Sequence, residues 1–278
     1  MEDLRPASEI VGASGSNLAF ALAVLPRKKR RDMEVFYAFC RVVDDWADDS
    51  GLSEAERRAG LARWRRLVRG ETDPAHEGVE AEFVEMMQRR QLPLAEVEAI
   101  ITGVEMDLTP LRFETAADLR RYCYHVAGAV GLVSIELFGY RDPQTRVYAE
   151  ELGYALQWTN ILRDVGQDAL EGRVFLPLAE LRRWGLEERD LLSGSPDPAK
   201  FERLMSDQAR VARAHFAAAR AALPTCDARA MRSAELMRRI YTGILDKMEA
   251  DRFQVYGTRY RLRKGRMIGE FLRAKAGL

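Results

Sequence analysis

Four aspartates lie within residues 36–49, a stretch that is otherwise largely apolar and aromatic. Asp44 precedes Asp48 by four residues, and Asp45 precedes Asp49 by four, so a helix would carry them as two adjacent rows of carboxylates, which together form the first acidic column. Each like-charged pair at this spacing costs roughly 0.2–0.5 kcal/mol. We therefore expect a cation to neutralise the cluster. Mg²⁺ is the natural candidate, because it takes oxygen ligands and keeps waters that a phosphate can replace.

A second acidic column occurs far along the chain. Asn160, Asp164 and Asp168 follow one another at four-residue spacing, with Gln157 just before them and Arg163 at their flank. On a helix these polar groups share one face. Two facing helices that each carry a carboxylate column would hold a metal cluster in a bundle core.

Each acidic column taken alone has a simpler interpretation. Acidic pairs on helices are usually solvated, and Arg41, four residues before Asp45, is placed to form a plain salt bridge with the first column. The two columns taken together, both in apolar helices, favour the metal site.

The composition excludes some classes of function. The chain has 278 residues, of which 47% are hydrophobic and 31% are charged, so it is long enough to bury a substantial core. Its 43 basic and 43 acidic residues give a net charge of +0, whereas a dedicated nucleic-acid-binding domain is basic overall. We expect no nucleic-acid partner.

Cysteines and apolar runs bear on the location of the protein. Cys40, Cys123 and Cys226 are odd in number and far apart, which argues against a disulfide framework or a zinc site. The apolar run 18–25 is short and precedes the basic run 27–31, the wrong order for a signal peptide. No apolar stretch approaches the 18 residues of a membrane span. We expect a cytoplasmic protein and leave open a peripheral contact with the inner face of the membrane.

The positioning elements are all predicted to be helical. Helices are expected over residues 18–25, 32–49, 53–68, 79–90, 94–108, 116–135, 145–168, 199–222 and 228–251, with short helices after 173 and a helical end to the basic tail. Residues 1–13 are predicted to be loosely ordered. No stretch alternates with a period of two, and no linker divides the chain, so we predict a single all-α domain over residues 1–278.

Several small or basic residues allow two interpretations. Ser14 and Ser16 either cap the next helix or face a diphosphate at its N-terminus. Gly128 and Gly131 each cost about 1 kcal/mol inside a helix, so they indicate close approach of a neighbouring helix or of an apolar ligand. We interpret the basic run 27–31, and most basic residues of the tail, as solvated faces.

These motifs resemble those of the squalene/phytoene synthases, a family of head-to-head prenyl transferases. The resemblance is carried by Ser14-x-Ser16 and by residues 37–48, 122–131, 157–168, 172–177 and 241–249, which together span nearly the whole chain. Within the family, residues 105–108, 122–124 and 134–140 look most like those of bacterial presqualene diphosphate synthases of hopanoid pathways. The resemblance implies an isoprenoid-synthase-type helical bundle with a central active-site cavity.

The resemblance also implies a reaction, the 1'-1 condensation of two farnesyl diphosphates to presqualene diphosphate. One substrate would ionise to an allylic cation, and the double bond of the other would attack it, closing a cyclopropane after proton loss. Mg²⁺, or alternatively Mn²⁺, would join the diphosphates to the protein. The implied metal ligands are Asp44, Asp48, Asn160, Asp164 and Asp168. NADPH would be needed only if reduction to squalene follows.

Other roles follow from the same resemblance. Tyr122 is expected near the proton-loss step, with the departing diphosphate as the rival base. The residues implied to position the diphosphates are Ser14, Ser16, Tyr37, Arg41 and Arg163, and Gln157 would support the second metal column. The residues implied to enclose the prenyl tails and keep water from the cation are Val126, Gly131, Val133 and Leu156.

Three departures from the family pattern leave the substrate chain length open. Asn17 stands where phenylalanine is common, Trp158 where leucine is frequent, and Phe253 near where some members have tyrosine. The alternatives are a phytoene synthase that condenses two geranylgeranyl diphosphates, and a non-catalytic family member. The last would be expected to lose metal ligands, whereas this chain keeps both columns. The oligomeric state, monomer or homodimer, is also left open.

Overall fold

The computed structural model describes residues 5–14, 17–71 and 77–276. Within these ranges the chain forms fourteen α-helices and one π-helical segment, and no strand. The helices before residue 124 are α1 (Ala7–Ser14), α2 (Asn17–Leu22), α3 (Arg27–Asp48), α4 (Glu54–Val68), α5 (Gly78–Arg90), α6 (Leu94–Met106) and α7 (Ala116–Cys123). After the π-helical segment (Tyr124–Gly128) follow α8 (Ala129–Phe138), α9 (Gln144–Leu170), α10 (Leu178–Arg183), α11 (Glu188–Leu192), α12 (Pro198–Ala222), α13 (Arg232–Ala250) and α14 (Lys264–Ala276).

Local side-chain contacts explain where several helices begin. The Ser53 hydroxyl accepts a hydrogen bond from the amide of Glu56, whose carboxylate accepts one from the Ser53 amide in return. Thr115 and Asp118 form the same reciprocal pair at the start of α7. Each pair satisfies two amides that the first turn of a helix leaves unbonded. These caps account for the starts of α4 and α7, within the helices expected over 53–68 and 116–135. The all-α class is confirmed for the described residues.

The long helix α9 lies at the centre of the molecule, with α12, α8, α13 and the π-helical segment packed against it. A second packing centre joins α3, α4 and α5, where the ring of Phe39 stacks on Phe83 at 4.0 Å between centroids and meets Trp64 edge-on. These contacts fix α3 and α9, the two helices that carry the acidic columns.

The helix predicted over 116–135 is interrupted by the π-helical segment, which the sequence analysis did not predict. The interruption lies where this helix and α9 touch. A methyl group on Gly131 would come within 2.6 Å of the Ala149 carbonyl oxygen, and one on Gly153 within 2.7 Å of the Ala127 carbonyl oxygen. Backbone contact of this kind confirms close helix packing as a reason for the glycine at position 131.

The structure corrects two expectations for the N-terminal region. Residues 7–14 are helical rather than loosely ordered, because Ala7 and Ile10 are buried and the Ala7 amide donates to the Glu82 carboxylate on α5 at 3.2 Å. The basic run is only partly solvated. Lys29 donates to the carbonyl of Phe138, and Arg30 donates to the backbone carbonyl oxygens of residues 23 and 25.

No helix in the part of the chain that the structure describes is long and apolar enough to cross a membrane.

Candidate active site

An apolar cavity of about 230 Å³ lies between four helical walls. Helix α3 contributes Met33, Phe36, Tyr37 and Cys40, and the π-helical segment with α8 contributes Val126, Ala127, Val130, Gly131, Ser134, Ile135 and Phe138. Helix α9 contributes Tyr148, Ala149, Leu152, Gly153, Leu156, Gln157 and Asn160, and α13 contributes Ser233, Ala234, Met237 and Tyr241. The predicted central cavity is therefore present, and its walls come from four well-separated parts of the sequence.

The two ends of the cavity differ in polarity. Gln157 and Asn160 lie at one end, and both acidic columns continue beyond that end by helical geometry. Asp44 follows the lining residue Cys40 by one turn on α3, and Asp164 follows Asn160 by one turn on α9. The carboxylates therefore lie at the mouth of an apolar space, where a diphosphate can remain in polar surroundings while its hydrocarbon tail is buried.

Both columns contain a carboxyl group with an elevated pKa. Burial, followed by repulsion from Asp48, raises the pKa of Asp44 to about 6. Burial, followed by repulsion from Asp164, raises the pKa of Asp168 to about 7. An elevated pKa means that the ionised form of the carboxyl group is poorly stabilised, and a bound cation would stabilise that form.

Arg173 links the two columns electrostatically. Burial raises the pKa values of Asp44, Asp107 and Asp168, and the positive charge of Arg173 lowers all three. The three carboxyl groups therefore lie close enough to Arg173 to interact with it electrostatically. Arg173 belongs to the 172–177 motif and was not among the predicted site residues. Its position in a loop after α9 offered no helical spacing from which to infer this proximity.

The buried Tyr122 and the half-buried Asp107 form a hydrogen-bonded pair near the columns. The phenol donates to the Asp107 carboxylate at 3.0 Å, and the rings of Phe113 and Phe175 flank it at 5.2 and 5.7 Å between centroids. Burial raises the pKa of Asp107 to about 6 although the Tyr122 hydrogen bond lowers it. Burial and the adjacent Asp107 raise the pKa of Tyr122 far above its ordinary value, so the phenol stays protonated. Asp107 was not among the predicted site residues.

Six predicted site residues line the cavity: Tyr37, Val126, Gly131, Leu156, Gln157 and Asn160. Val133 is fully buried outside this lining, so its position does not favour the predicted contact with a prenyl tail. Ser16 and the side chain of Ser14 lie outside the described residues. Trp158, one of the three departures from the family pattern, also lies outside the lining and donates to Gln208 at 3.2 Å, so its side chain does not shape this cavity.

Arginines pair with three carboxylates of the columns. Arg41 donates to Asp44 at 3.1 Å and to Asp45 at 2.8 Å, and Arg163 donates to Asp164 at 2.8 Å. The salt-bridge interpretation of the first column is therefore realised in this structure. Among the described residues, no three acidic, histidine or cysteine side chains are grouped closely enough to hold a metal ion.

Asn160 provides a test of whether the columns fit a metal. Its side-chain oxygen is buried and has no hydrogen-bond partner. An acceptor of this kind carries a desolvation cost of about 1–3 kcal/mol unless something binds it. The other proposed ligand atoms are the carboxylate oxygens of the two columns. Together with the Asn160 oxygen they form the all-oxygen ligand set that Mg²⁺ prefers. The residues present therefore fit a hard divalent cation.

A polar cavity of about 540 Å³ adjoins the second column. Arg163, Asp164 and Asp168 line one side, and Tyr256 and Arg259 line the other. Any side chain at Gly166 would collide with the backbone of Val255, so glycine allows this loop to approach α9. Arg259, which we expected on a solvated face, thus lies beside the acidic column.

Comparison with known proteins decides the family. A family model described as squalene/phytoene synthase matches residues 11–266. The chain belongs to the squalene/phytoene synthase family. This family member is 36% identical over 253 residues to presqualene diphosphate synthase from Rhodopseudomonas palustris, covering 89% of this chain and 88% of that protein. It is 31% identical to 15-cis-phytoene synthase from Synechocystis sp., over 85% of this chain and 73% of that one.

Solved structures agree on the fold of this squalene/phytoene synthase family member. A crystal structure of a dehydrosqualene synthase in complex with ligand superposes with a TM-score of 0.83 at 24% identity, covering 97% of this chain and 94% of that one. The isoprenoid-synthase-type helical bundle is therefore confirmed. As a member of the family, the protein is a prenyl transferase of the head-to-head type.

Proposed function

We propose that this protein condenses two farnesyl diphosphates to presqualene diphosphate in hopanoid or other triterpenoid biosynthesis. The observation that carries the proposal is an apolar cavity whose mouth holds two columns of oxygen donors, including the unpartnered Asn160 oxygen. Relatives named presqualene diphosphate synthase, at 36% and 35% identity, support the product.

The metal ligands in this proposal are Asp44, Asp48, Asn160, Asp164 and Asp168, with Mg²⁺ as the ion and Mn²⁺ as the alternative. When bound, the ion supplies positive charge that stabilises the departing diphosphate. Arg41 and Arg163, now paired with the carboxylates, would turn their guanidinium groups to diphosphate oxygens once a cation takes those carboxylates. Arg173 and Arg259 are further cations near the same columns.

The apolar walls protect the allylic cation. Val126, Gly131 and Leu156 line the cavity, and a surface without water or nucleophiles leaves the second prenyl double bond as the attacking group. Tyr37 and Gln157 lie at the polar end of the lining, where they would orient the first carbon atoms of the two substrates.

Tyr122 and Asp107 would serve the proton-loss step. Because the phenol is protonated, it accepts a proton from carbon only if its own proton passes to Asp107, with which it shares a 3.0 Å hydrogen bond. Asp107 would be largely ionised at neutral pH, since its pKa is about 6. The departing diphosphate is the competing base.

A phytoene synthase acting on geranylgeranyl diphosphate is the second candidate, supported by the 31% identical relative from Synechocystis sp.. We further infer that residues 1–278 act as one domain, because the cavity walls come from residues 33 to 241. A cytoplasmic enzyme fits its three free cysteines. Peripheral membrane contact, and assembly as a monomer or a homodimer, are compatible with this proposal.

The product distinguishes these candidates. Purified protein should be incubated with farnesyl or geranylgeranyl diphosphate and Mg²⁺, with and without NADPH, and the product mass determined. We expect a C30 cyclopropyl diphosphate from the farnesyl substrate, unchanged by NADPH. Squalene that forms only with NADPH would extend the reaction by a reductive step, and phytoene from the C20 substrate alone would contradict the proposal.

Variants of the first column provide a matched control. Asp44→Asn should abolish turnover, whereas Asp45→Asn should retain most of it. Both residues pair with Arg41, but only Asp44 is proposed as a ligand. Equal loss of turnover in both variants would favour a purely structural role for this cluster.

A further inference from the structure

We propose that Met33, Phe138 and Tyr148 form a rigid cavity floor that limits a substrate tail bound in this cavity to three isoprene units. This inference rests on the proposed function and deepens it, because it assigns the chain-length preference to particular side chains. These three residues line the end of the cavity away from the acidic columns, and each comes from a different helical wall.

The length of the cavity along α9 sets the limit. Its lining begins at Asn160 and ends twelve residues earlier at Tyr148, which corresponds to about 18 Å at 1.5 Å per residue. An extended prenyl chain advances about 5 Å per isoprene unit, given carbon–carbon bonds of about 1.5 Å. A farnesyl tail of about 15 Å therefore fits this length. A geranylgeranyl tail of about 20 Å reaches into the last turn, where the rings of Phe138 and Tyr148 lie.

Tyr148 is held in place by polar contacts behind the floor. Its side chain is fully buried, and its hydroxyl donates to Glu235 on α13 at 3.1 Å. The Glu235 carboxylate in turn accepts a hydrogen bond from Arg238 at 2.9 Å. Turning the ring away from the cavity would break the hydrogen bond to Glu235, so the ring does not yield easily to a longer tail.

The backbone around the floor is also anchored. Lys29, which precedes Met33 by one turn on α3, donates to the carbonyl oxygen of Phe138 at the end of α8. Ser233 lines the cavity in the first turn of α13, is buried, and donates to the carbonyl oxygen of Ala21 at 2.9 Å. Three walls are thus tied to neighbouring segments at the floor, and a close-packed region of this kind resists expansion.

Binding of unreactive substrate analogues tests the floor independently of catalysis. Calorimetry in the presence of Mg²⁺ should compare farnesyl and geranylgeranyl thiolodiphosphates on the full-length protein. We expect the wild-type protein to bind the farnesyl analogue at least about tenfold more tightly, since misfitting carbons in an apolar pocket have effects of this size. Equal affinity for the two analogues, or no binding of either, would overturn the proposal.

Variants with a smaller side chain at the floor should shift the preference for the farnesyl analogue. In Phe138→Ala and Met33→Ala we expect the ratio of affinities to move about tenfold toward the geranylgeranyl analogue. Phe216→Ala is the control, because Phe216 is similarly buried but lies outside the cavity lining. Melting curves identify any variant that fails to fold. If one of the two floor variants does not fold, the affinity ratio of the other one tests the proposal.

Turnover separates the failure of this inference from failure of the proposed function. One outcome is that the wild-type protein turns over neither substrate while it shows the expected affinity ratio and the floor variants shift that ratio. This outcome would support the floor assignment and contradict the proposed reaction. If the protein makes presqualene diphosphate but both floor variants have the same affinity ratio for the two analogues as the Phe216→Ala control, the floor assignment is wrong.

Discussion

The Tyr122 hydroxyl and the Asp107 carboxylate share a partly buried hydrogen bond beside the acidic columns. Removing the hydroxyl in Tyr122→Phe would break the route by which a proton passes to Asp107. We predict that kcat falls about 100-fold, as is typical for loss of a general acid or base, while KM changes little. Steady-state kinetics with farnesyl diphosphate would measure both constants.

Tyr154→Phe is a matched control for this substitution. Tyr154 donates to Glu150 at 2.6 Å in a similar tyrosine–carboxylate pair. The charged groups that act on Tyr154 are Glu150, Glu151 and Arg120, whereas Asp44 of the first column acts on Tyr122. Tyr154→Phe should leave kcat near the wild-type value. An equal fall of kcat in the two variants, or wild-type kcat in Tyr122→Phe, would count against a role for Tyr122 in proton loss.

The elevated pKa values in the two columns predict how Mg²⁺ stabilises the protein as pH changes. The pKa of Asp44 is about 6 and that of Asp168 about 7, above the ordinary value of about 3.9. Their stabilising contribution is therefore present below about pH 4 and is lost as pH rises through 6 to 7. Ionised carboxylates bind Mg²⁺, so the Mg²⁺-dependent rise in Tm should be larger near pH 8 than near pH 5.

Thermal melts across this pH range, with and without Mg²⁺, would measure the effect. Asp168→Asn should show a smaller Mg²⁺-dependent rise near pH 8, because it lacks one ionisable ligand. A rise of the same size at every pH would show that Mg²⁺ acts elsewhere on the protein.

At the residue scale, the sequence was informative where one helix holds several site residues. The spacing of Asp44 and Asp48, and of Asn160 and Asp164, follows from the helical repeat alone. Asp107 and Arg173 were not predicted as site residues, because only tertiary packing brings the end of α6 and the loop after α9 to the columns. The chain-length floor was likewise hidden, since its residues come from three separate helices.

At the scale of elements, the contact between α8 and α9 positions one cavity wall. A side-chain methyl on Gly131 would lie 2.6 Å from a backbone oxygen of α9, which cannot move as a flexible side chain would. We predict that Gly131→Ala destabilises the protein by about 1–3 kcal/mol, the usual cost of overpacking, despite the better helix propensity of alanine. Urea unfolding monitored by circular dichroism would measure this change.

Gly269→Ala in α14 is the corresponding control. An added methyl at Gly269 meets no atom within 4 Å, so alanine should leave stability unchanged or raise it by up to about 1 kcal/mol. If both variants were equally stable, the close approach of α8 to α9 would not be needed for the fold.

The predicted helices correspond to observed ones because apolar periodicity and caps are local signals. Two features required tertiary information. Helix α1 forms although its sequence carries weak signals, since Ala7 and Ile10 are buried against other helices. The π-helical segment coincides with the backbone contact between Ala127 and Gly153, a constraint that residues 124–128 do not contain by themselves.

At the scale of the whole molecule, the fold encloses an apolar space with walls from α3, α8, α9 and α13. Its mouth carries the acidic columns, and its floor is fixed to neighbouring segments by hydrogen bonds. The separation of polar chemistry at one end from hydrocarbon at the other matches a substrate with a diphosphate head and a prenyl tail.

The most direct test of the central claim is a crystal structure with farnesyl thiolodiphosphate and Mn²⁺, which anomalous scattering identifies. The account predicts anomalous peaks between Asp44 and Asp48 on one helix and Asn160, Asp164 and Asp168 on the other, with prenyl tails in the cavity toward Tyr148. Metal bound elsewhere, or prenyl tails outside the four-helix cavity, would contradict it.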